Sequence, residues 1–377
     1  MMTYAELRRT LRTTLSDAGK LTGLPIDTVY EADEILRLVA GLDRAAVLLR
    51  GAEEAAETVA MRCIAAAKGR GEGIPLAYLL GISPFCGEDF YCAPGCLIPR
   101  ADTETLVEEA ASRLPAGGVL WDLCTGSGCV PIAVLLQRDD IPAAYGVELY
   151  PSAEATAERN IAKFAEKLGG RFTLVHGDVL GGDIPQNSAA PSVITANPPY
   201  ISTAVIETLD VQVQMEPRTA LDGGEDGMRY YRAILAGYLG HLAEDGCIIF
   251  EIGYDQKRAI RALAQEYDCT CIIRRDYEAT TASLSSNRIP KHNHIRSFMP
   301  SRACRTDRTC LKTAYLHIEY LRTAHHILPY PFHKTLPSER NFQIESQDLH
   351  DEKNSSLSVR RQVHRIQGFP ALRLYRS

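Results

Sequence analysis

The stretch Asn197-Pro198-Pro199-Tyr200 carries the clearest chemical signal of the chain. Its two prolines have no backbone N–H group and hold the chain extended. The Asn197 side-chain oxygen and the Pro198 carbonyl are therefore two acceptors beside the ring of Tyr200, where a planar –NH2 group fits. This motif predicts chemistry on an amide or amino nitrogen. Its catalytic candidates are Asn197, Pro198 and Tyr200, and Pro199 joins them as a candidate for substrate binding.

A second candidate site is the glycine-containing loop Asp122-Leu123-Cys124-Thr125-Gly126-Ser127-Gly128, which follows a predicted strand and precedes a predicted helix. Small residues let the backbone of such a loop approach a ligand, and the next helix directs its N-terminus inward. Glu148 ends the following strand, at the place where an acid binds ribose hydroxyls. The pattern predicts a cofactor that contains a nucleoside.

Both NAD and S-adenosylmethionine contain such a ribose. A dinucleotide site carries a third glycine beside the pyrophosphate, but Pro131 stands at that position here. S-adenosylmethionine has no phosphate to bind, and we therefore favour it over NAD. Asp122 would then lie near its amino-acid part, and Asp178, after the third strand, near its adenine.

The elements that must position these residues alternate between strands and helices over residues 105–281. Ligands bind at the carboxyl edge of a parallel sheet, and such alternation predicts a mostly parallel sheet with helices on both faces. Asp102 or Thr103 is placed to cap the helix that begins at Glu104, and a role near the cofactor fits the segment 100–104 equally well. The predicted strands are 119–123, 143–148, 172–176, 193–196 and 247–252, and the predicted helices lie near 104–113, 130–137, 152–167, 227–243 and 256–267.

The remaining segments differ from this alternating part. Residues 1–72 show apolar residues at helical spacing, such as Leu7, Leu11 and Leu15, and predict a small helical bundle. Residues 73–104 combine glycine, proline and aromatic residues in short runs, which predicts a hairpin-like connector.

The last segment has an unusual charge. Residues 281–377 contain 16 Lys and Arg against 7 Asp and Glu, whereas the other 280 residues have a net charge of −15. We predict a basic, His-rich and poorly ordered tail over 282–377. We also expect no strand there, which would leave an edge of the sheet unpaired. An accretion, a shifted reading frame and a basic arm for RNA all fit such a tail.

Composition limits the class of protein. Hydrophobic content of 45% and charged content of 23% are typical of a globular protein. No apolar run approaches the roughly 20 residues that span a bilayer, and no signal peptide is evident at the start. Eleven scattered cysteines indicate free thiols without a metal site. We expect a cytoplasmic monomer with no membrane partner.

The glycine-containing loop, Glu148, Asp178 and the Asn-Pro-Pro-Tyr motif follow one another along the chain. This order resembles that of the class I methyltransferases that act on nitrogen. Four segments narrow the likeness to the bacterial release factor glutamine methyltransferases. They are 73–81 (Gly-Ile-Pro-Leu-Ala-Tyr-Leu-Leu-Gly), 97–104 (Leu-Ile-Pro-Arg-Ala-Asp-Thr-Glu), 197–201 (Asn-Pro-Pro-Tyr-Ile) and 216–227 (Glu-Pro-Arg-Thr-Ala-Leu-Asp-Gly-Gly-Glu-Asp-Gly).

This resemblance implies a Rossmann-like α/β fold with a small N-terminal helical bundle that helps to dock a peptide chain release factor. It implies methylation of the glutamine side chain in the Gly-Gly-Gln loop of that factor. It also implies which residues bind the cofactor and the substrate, and Asn197 belongs to both groups. The cofactor residues are Asp122, Cys124, Thr125, Gly126, Ser127, Gly128, Glu148, Asp178, Val179 and Asn197.

Three alternatives stay open at this point. The acceptor could be a glutamine of a ribosomal protein, or an adenine of DNA. Because a DNA enzyme needs a basic face, the net charge of −15 over residues 1–280 argues against direct DNA binding. A third alternative is an inactive cofactor-binding module, since the C-terminal strands expected of the family are replaced.

Overall fold

The structure is a computed structural model that describes residues 2–275 and, for the backbone, residues 313–319. An N-terminal helical region precedes a seven-stranded sheet within these residues. No helix in the described part combines the length and the apolar character that crossing a membrane requires.

The N-terminal region forms because leucines repeat along one face of its first helix. Leu7, Leu11 and Leu15 are fully buried there, and a capping box between Thr3 and Glu6 starts the helix. The elements are β1 (Met2–Thr3), α1 (Tyr4–Thr22), α2 (Thr28–Ala40), α3 (Arg44–Leu49), β2 (Glu54–Ala55), α4 (Glu57–Gly69), a 3-10 turn (Arg70–Glu72) and α5 (Leu76–Leu80). The predicted helical character of this region is confirmed.

A hairpin follows the helical region. Its strands β3 (Ile82–Phe85) and β4 (Glu88–Tyr91) are antiparallel, and the turn between them has positive φ at Cys86 (49°) and Gly87 (76°). Phe90 inserts into the core and packs on Phe164, with ring centroids 5.1 Å apart. The hairpin therefore fastens the helical region to the sheet.

The main sheet has the strand order β10-β11-β9-β8-β5-β6-β7. Strands β5 to β9 pair parallel with one another, and helices cover both faces over two apolar clusters. The predicted α/β class with a mostly parallel sheet is confirmed. The strands are β5 (Val119–Leu123), β6 (Ala143–Glu148), β7 (Phe172–His176), β8 (Val193–Ala196), β9 (Cys247–Gly253), β10 (Thr270–Arg275) and β11 (Thr313–Glu319).

Helices connect these strands, close to their predicted positions. They are α6 (Glu104–Arg113), α7 (Cys129–Gln137), α8 (Pro151–Lys163), α9 (Ala165–Leu168), α10 (Thr203–Ile206), α11 (Val211–Gln214), α12 (Arg229–Tyr238) and α13 (Lys257–Glu266), with 3-10 turns at Arg218–Ala220 and Leu239–His241. The domain boundaries at residues 72, 104 and 281 stay predictions.

The chain order reverses at β5, which lies between β6 and β8. The chain runs outward from β5 through β6 to β7 and then returns to the other side of β5 as β8. Such a reversal opens a crevice at the carboxyl ends of the two central strands. The glycine-containing loop and Asn197 follow these two ends.

The expectation of no strand after residue 281 is wrong. Thr313–Glu319 forms β11, which pairs antiparallel with β9 on one side and with β10 on the other. A strand in that position satisfies backbone groups of both neighbours, which explains why a short run inside a basic segment joins the sheet. The predicted disorder of the rest of 282–377 lies outside the described residues.

A buried ion pair connects the helical region to the segment beyond Tyr200. Arg70 donates to Glu31 from Nε (2.8 Å) and from Nη2 (3.0 Å), and both residues are buried. Arg70 also donates to the Ile74 carbonyl at 2.7 Å and to Gln212 Oε1 at 3.5 Å. Its guanidinium thus holds α2, the turn after α4 and α11 together.

Replacing Arg70 should destabilise the protein strongly, because Glu31 would remain buried without its partner. We expect Arg70→Met to lower the unfolding free energy by about 3–5 kcal/mol, measured by urea denaturation. Arg50→Met is the matched control, because the Arg50–Glu53 pair is exposed, and it should change stability little. Equal effects of the two substitutions would contradict this assignment.

Candidate active site

One cavity opens at the carboxyl ends of β5, β6, β7 and β8 and brings together most of the predicted site residues. Gly128, Pro198 and Tyr200 adjoin it in sequence but are not part of its wall. The predicted residues that line it are Asp122, Cys124, Thr125, Gly126, Ser127, Glu148, Asp178, Val179, Asn197 and Pro199. Their roles in binding stay predictions.

Three residues of the glycine-containing loop have a left-handed backbone conformation. Gly126 and Gly128 have φ of 57° and 74°, and Cys124 adopts φ of 59° without being glycine. A left-handed cysteine costs backbone energy, and such strain is concentrated at functional sites. The loop therefore bends at Cys124 itself, in addition to the glycines.

Asp122 supports this loop from below. Its carboxylate accepts hydrogen bonds from the hydroxyls of Thr125 (2.5 Å) and Thr195 (2.6 Å), which tie β5 to the loop and to β8. Burial raises the pKa of Asp122 to about 7, although the two hydroxyls lower it. The Asp122 carboxylate therefore stabilises the cavity wall by holding the loop and β8 against β5.

Glu148 forms the wall next to the loop. Its Oε2 accepts from the Gly126 N–H (2.8 Å), and its Oε1 accepts from the N–H groups of Leu149 (3.1 Å) and Tyr150 (3.0 Å). Burial raises the pKa of Glu148, and these backbone donors oppose the rise. Oε1 already accepts two hydrogen bonds, whereas Oε2 accepts one and keeps a lone pair, so Oε2 is suited to a ligand hydroxyl.

Asp178 and Val179 lie across the cavity from the glycine loop, after β7. The Asp178 Oδ1 accepts from the Leu180 N–H at 2.8 Å, and the Asp178 N–H donates to Asp183 at 2.8 Å. These local bonds fix a tight turn, and they place the buried side chain of Val179 in the wall. This part of the cavity is suited to a flat apolar ring.

Of the two acceptors predicted in the Asn-Pro-Pro-Tyr loop, Asn197 lines the cavity, whereas Pro198 is buried beside it. Asn197 donates from Nδ2 to the Thr103 hydroxyl at 3.2 Å. Among residues 2–275, no group donates to Asn197 Oδ1 or to the Pro198 carbonyl. The Tyr200 hydroxyl donates to Glu251 Oε1 at 3.3 Å, so its polar end is held inside the protein.

The segment 216–227 braces this loop by close backbone contact. Ile201 and Leu221 share a hydrogen bond of 2.9 Å, and Gly223 donates to the Ile201 carbonyl at 2.8 Å. A Cβ atom at Gly227 would lie 2.3 Å from the Tyr200 carbonyl oxygen. Glu216 is buried, accepts from the Ile98 N–H at 3.0 Å and pairs with Arg100. Its carboxylate is thus occupied by structural partners.

Of the two candidates for a helix cap, Thr103 does not fill that role, and its place in the cavity wall fits the alternative of a role near the cofactor. Thr103 precedes α6 but makes no side-chain capping bond. Its hydroxyl donates instead to Glu251 Oε2 at 2.7 Å. The partner lies on β9, distant in sequence, so local pattern could not indicate the bond.

Sequence reasoning also missed Glu251 and Asn160. Glu251 is an acid inside the buried apolar strand β9, a signal that could have found it, and burial raises its pKa to about 7. Asn160 on α8 is fully buried, donates to the Ser127 carbonyl at 3.0 Å and accepts from the Tyr91 N–H at 2.7 Å. It joins the glycine loop to the hairpin.

Within the described part of the chain, no group of three or more His, Cys, Asp or Glu side chains is placed to hold a metal ion. The cavity instead combines carboxylate and carbonyl acceptors with apolar walls. Such a site can bind a nucleoside on one side and orient a planar amide on the other.

Comparison with known proteins identifies relatives of this chain. A family model described as the PrmC N-terminal domain matches residues 6–81. The release factor glutamine methyltransferase of Geobacter sulfurreducens is 37% identical over 250 residues, covering 65% of this chain and 84% of that protein. The protein of the same name from Neisseria gonorrhoeae is 36% identical, covering 63% of this chain and 84% of that protein.

A solved structure is also similar. The methyltransferase from Pyrococcus furiosus aligns with 62% of this chain and 89% of its own length, at 15% identity and a TM-score of 0.40.

Gly227→Ala tests the backbone brace over the Asn-Pro-Pro-Tyr loop. The new Cβ would meet the Tyr200 carbonyl oxygen, so we expect loss of activity and a lower melting temperature. Gly117→Ala is the matched control, since Gly117 has a similar φ of 76° but nothing within 4 Å of its Cβ position. It should cost only the backbone strain of about 1–2 kcal/mol and keep full activity. Equal activity of the two variants would contradict the brace.

Proposed function

Since the chain belongs to the release factor glutamine methyltransferase family, we propose that it transfers a methyl group from S-adenosylmethionine to a protein glutamine. The acceptor is the side-chain amide nitrogen of the glutamine in the Gly-Gly-Gln loop of peptide chain release factors. The two relatives of this name described above are 37% and 36% identical to this chain, and each is covered over 84% of its length.

One observation carries the proposal. A single cavity connects Glu148, the predicted ribose ligand, with Asn197, the predicted amide ligand. Methyl transfer requires donor and acceptor in one enclosed site, with the reacting atoms about 3–3.5 Å apart. The crevice between β5 and β8 supplies such a site.

The cavity wall fits S-adenosylmethionine. Glu148 presents acceptors to the ribose hydroxyls, Asp178 and Val179 flank the adenine, and the loop 124–128 lies beside the methionine part. Val130, Val147 and Leu149 add apolar surface around Glu148. When bound, S-adenosylmethionine supplies an electrophilic methyl group on a positively charged sulfur.

The chain's own groups must then make an amide nitrogen reactive. An amide nitrogen is a poor nucleophile because its lone pair is delocalised into the carbonyl. Asn197 Oδ1 and the Pro198 carbonyl accept its two hydrogens, which fixes the amide plane and increases electron density on nitrogen. Alignment of this kind contributes up to about 7–11 kcal/mol in the best cases.

The observations do not favour the other acceptors. The reported relatives are named for release factors, rather than for DNA or a ribosomal protein. The inactive-module alternative rested on a missing strand, and β11 takes a place in the sheet between β9 and β10. We further propose that the enzyme is a cytoplasmic monomer, that it does not bind DNA directly, and that its N-terminal helices help to dock the release factor.

The proposed function is tested by incubating the protein with methyl-labelled S-adenosylmethionine and a purified release factor. We expect label in the Gly-Gly-Gln loop, located by peptide mass spectrometry. A release factor whose loop glutamine is changed to alanine is the control and should take up no label. Equal labelling of both factors would contradict the assigned acceptor.

Asn197→Ala tests the amide site separately from the cofactor site. Removing one aligned acceptor should lower kcat by roughly 10²-fold or more, by analogy with an oxyanion donor. S-adenosylmethionine affinity, measured by calorimetry, should fall far less. Asn187→Gly is the control, because Asn187 is exposed, has a left-handed φ of 60° and lies outside the cavity. Turnover of Asn197→Ala at the wild-type rate would refute the mechanism.

A further inference from the structure

We propose that Glu251, acting through the Thr103 hydroxyl, determines which end of the Asn197 amide faces the substrate. Glu251 and Thr103 are thus positioning residues for methyl transfer. The inference rests on the proposed function and names two groups that the Asn-Pro-Pro-Tyr motif does not contain.

The three groups form a chain of hydrogen bonds from the core to the cavity. Asn197 Nδ2 lies 3.2 Å from Thr103 Oγ1, and Thr103 Oγ1 lies 2.7 Å from Glu251 Oε2. Glu251 is 1% exposed and Thr103 is 3% exposed. Water therefore has little access to compete for these bonds.

The donor and the acceptor of each hydrogen bond in this series follow from which of the three side chains carry a hydrogen. An ionised carboxylate only accepts, so the single hydrogen of the Thr103 hydroxyl is directed to Glu251. The hydroxyl oxygen is then left as an acceptor, and only the –NH2 end of Asn197 can bind it. Oδ1 is consequently presented at the other side of the amide, where it can accept from the substrate.

The opposite orientation would be harmful. An Asn197 amide turned by half a rotation would present a second –NH2 group to the substrate amide, so donors would face donors. A carboxylate two hydrogen bonds away from Asn197 thus decides whether Asn197 is an acceptor or a donor. This explains the presence of an acid within the apolar strand β9.

Thr103 is available for this task because it makes no side-chain capping bond at the start of α6. A second contact holds Glu251 in place, since the Tyr200 hydroxyl donates to its other oxygen, Oε1, at 3.3 Å. Glu251 thus contacts both ends of the substrate loop, Asn197 through Thr103 and Tyr200 directly.

Protonation of Glu251 would weaken this control. A neutral carboxyl group can donate to Thr103, and the Thr103 hydroxyl is then free to donate to Asn197 Oδ1. Burial raises the pKa of Glu251 to about 7, which brings this change near neutral pH. The groups that face Glu251 are Asp102, which also raises its pKa, Arg100, which lowers it, and Tyr200, Tyr231 and Cys129.

The test compares Thr103→Val, which keeps the shape but removes the hydroxyl, with Thr103→Ser, which keeps the hydroxyl. We expect Thr103→Val to lower kcat for release factor methylation about tenfold or more, and Thr103→Ser to restore most of it. S-adenosylmethionine affinity should change little in either variant. Thr156→Val is the matched control, because Thr156 is equally buried and its hydroxyl bonds the Ser152 carbonyl and Cys96 rather than Asn197 or Glu251.

The pH dependence separates positioning from a merely structural role. Near pH 8 Glu251 is ionised and orients Asn197, whereas near pH 6 much of that control is lost. The loss of kcat caused by Thr103→Val should therefore be larger at about pH 8 than at about pH 6. Glu251→Gln cannot ionise. Its kcat should therefore differ less between the two pH values than the kcat of the wild-type protein does.

Two outcomes would overturn the inference. One is wild-type kcat in Thr103→Val, and the other is an equal loss of kcat at both pH values. The proposed function is judged separately, by whether the wild-type protein methylates the release factor at all. A wild-type enzyme that methylates, beside an unaffected Thr103→Val variant, would reject only the role of Glu251 and Thr103.

Discussion

The site depends on the backbone pairing of β5 with β8. The parallel register places Leu123 opposite Ala196, so the residues that follow, Cys124 and Asn197, leave the sheet side by side. Parallel hydrogen bonds fix this register, and a slip of one residue would turn each side chain to the other face. The glycine loop and the amide loop are neighbours because of this single ladder.

Buried carboxylates at this edge of the sheet each have a specific partner set. Asp122 accepts from two threonine hydroxyls, Glu148 from backbone N–H groups, and Glu251 from Thr103 and Tyr200. Burying an acid is costly unless hydrogen bonds compensate. These three acids therefore organise the cavity, and burial raises the pKa of each of them.

The connection between the helical region and the site is also physical. Arg70 reaches from the turn after α4 to Gln212 in α11, and the segment 216–227 holds the loop that contains Asn197. A release factor that docks on the N-terminal helices would therefore contact a region attached to the substrate loop. Close backbone packing at Gly223 and Gly227 leaves the segment 216–227 and the Asn-Pro-Pro-Tyr loop little room to move relative to each other.

The sequence alone determined five of the seven strands of the sheet, its main helices and ten of the residues that line the cavity. Hydrophobic runs, glycines and the Asn-Pro-Pro-Tyr motif are local signals, so they predict local structure and the chemistry of the nearest side chains. The tertiary structure alone decided the partners of those side chains. Thr103 bonds Glu251 across 148 residues, Asn160 joins Ser127 to the hairpin, and β11 enters the sheet from a segment with no evident strand pattern. Contacts of this kind form because folding brings together groups that are far apart in the sequence. A local sequence pattern therefore cannot predict them.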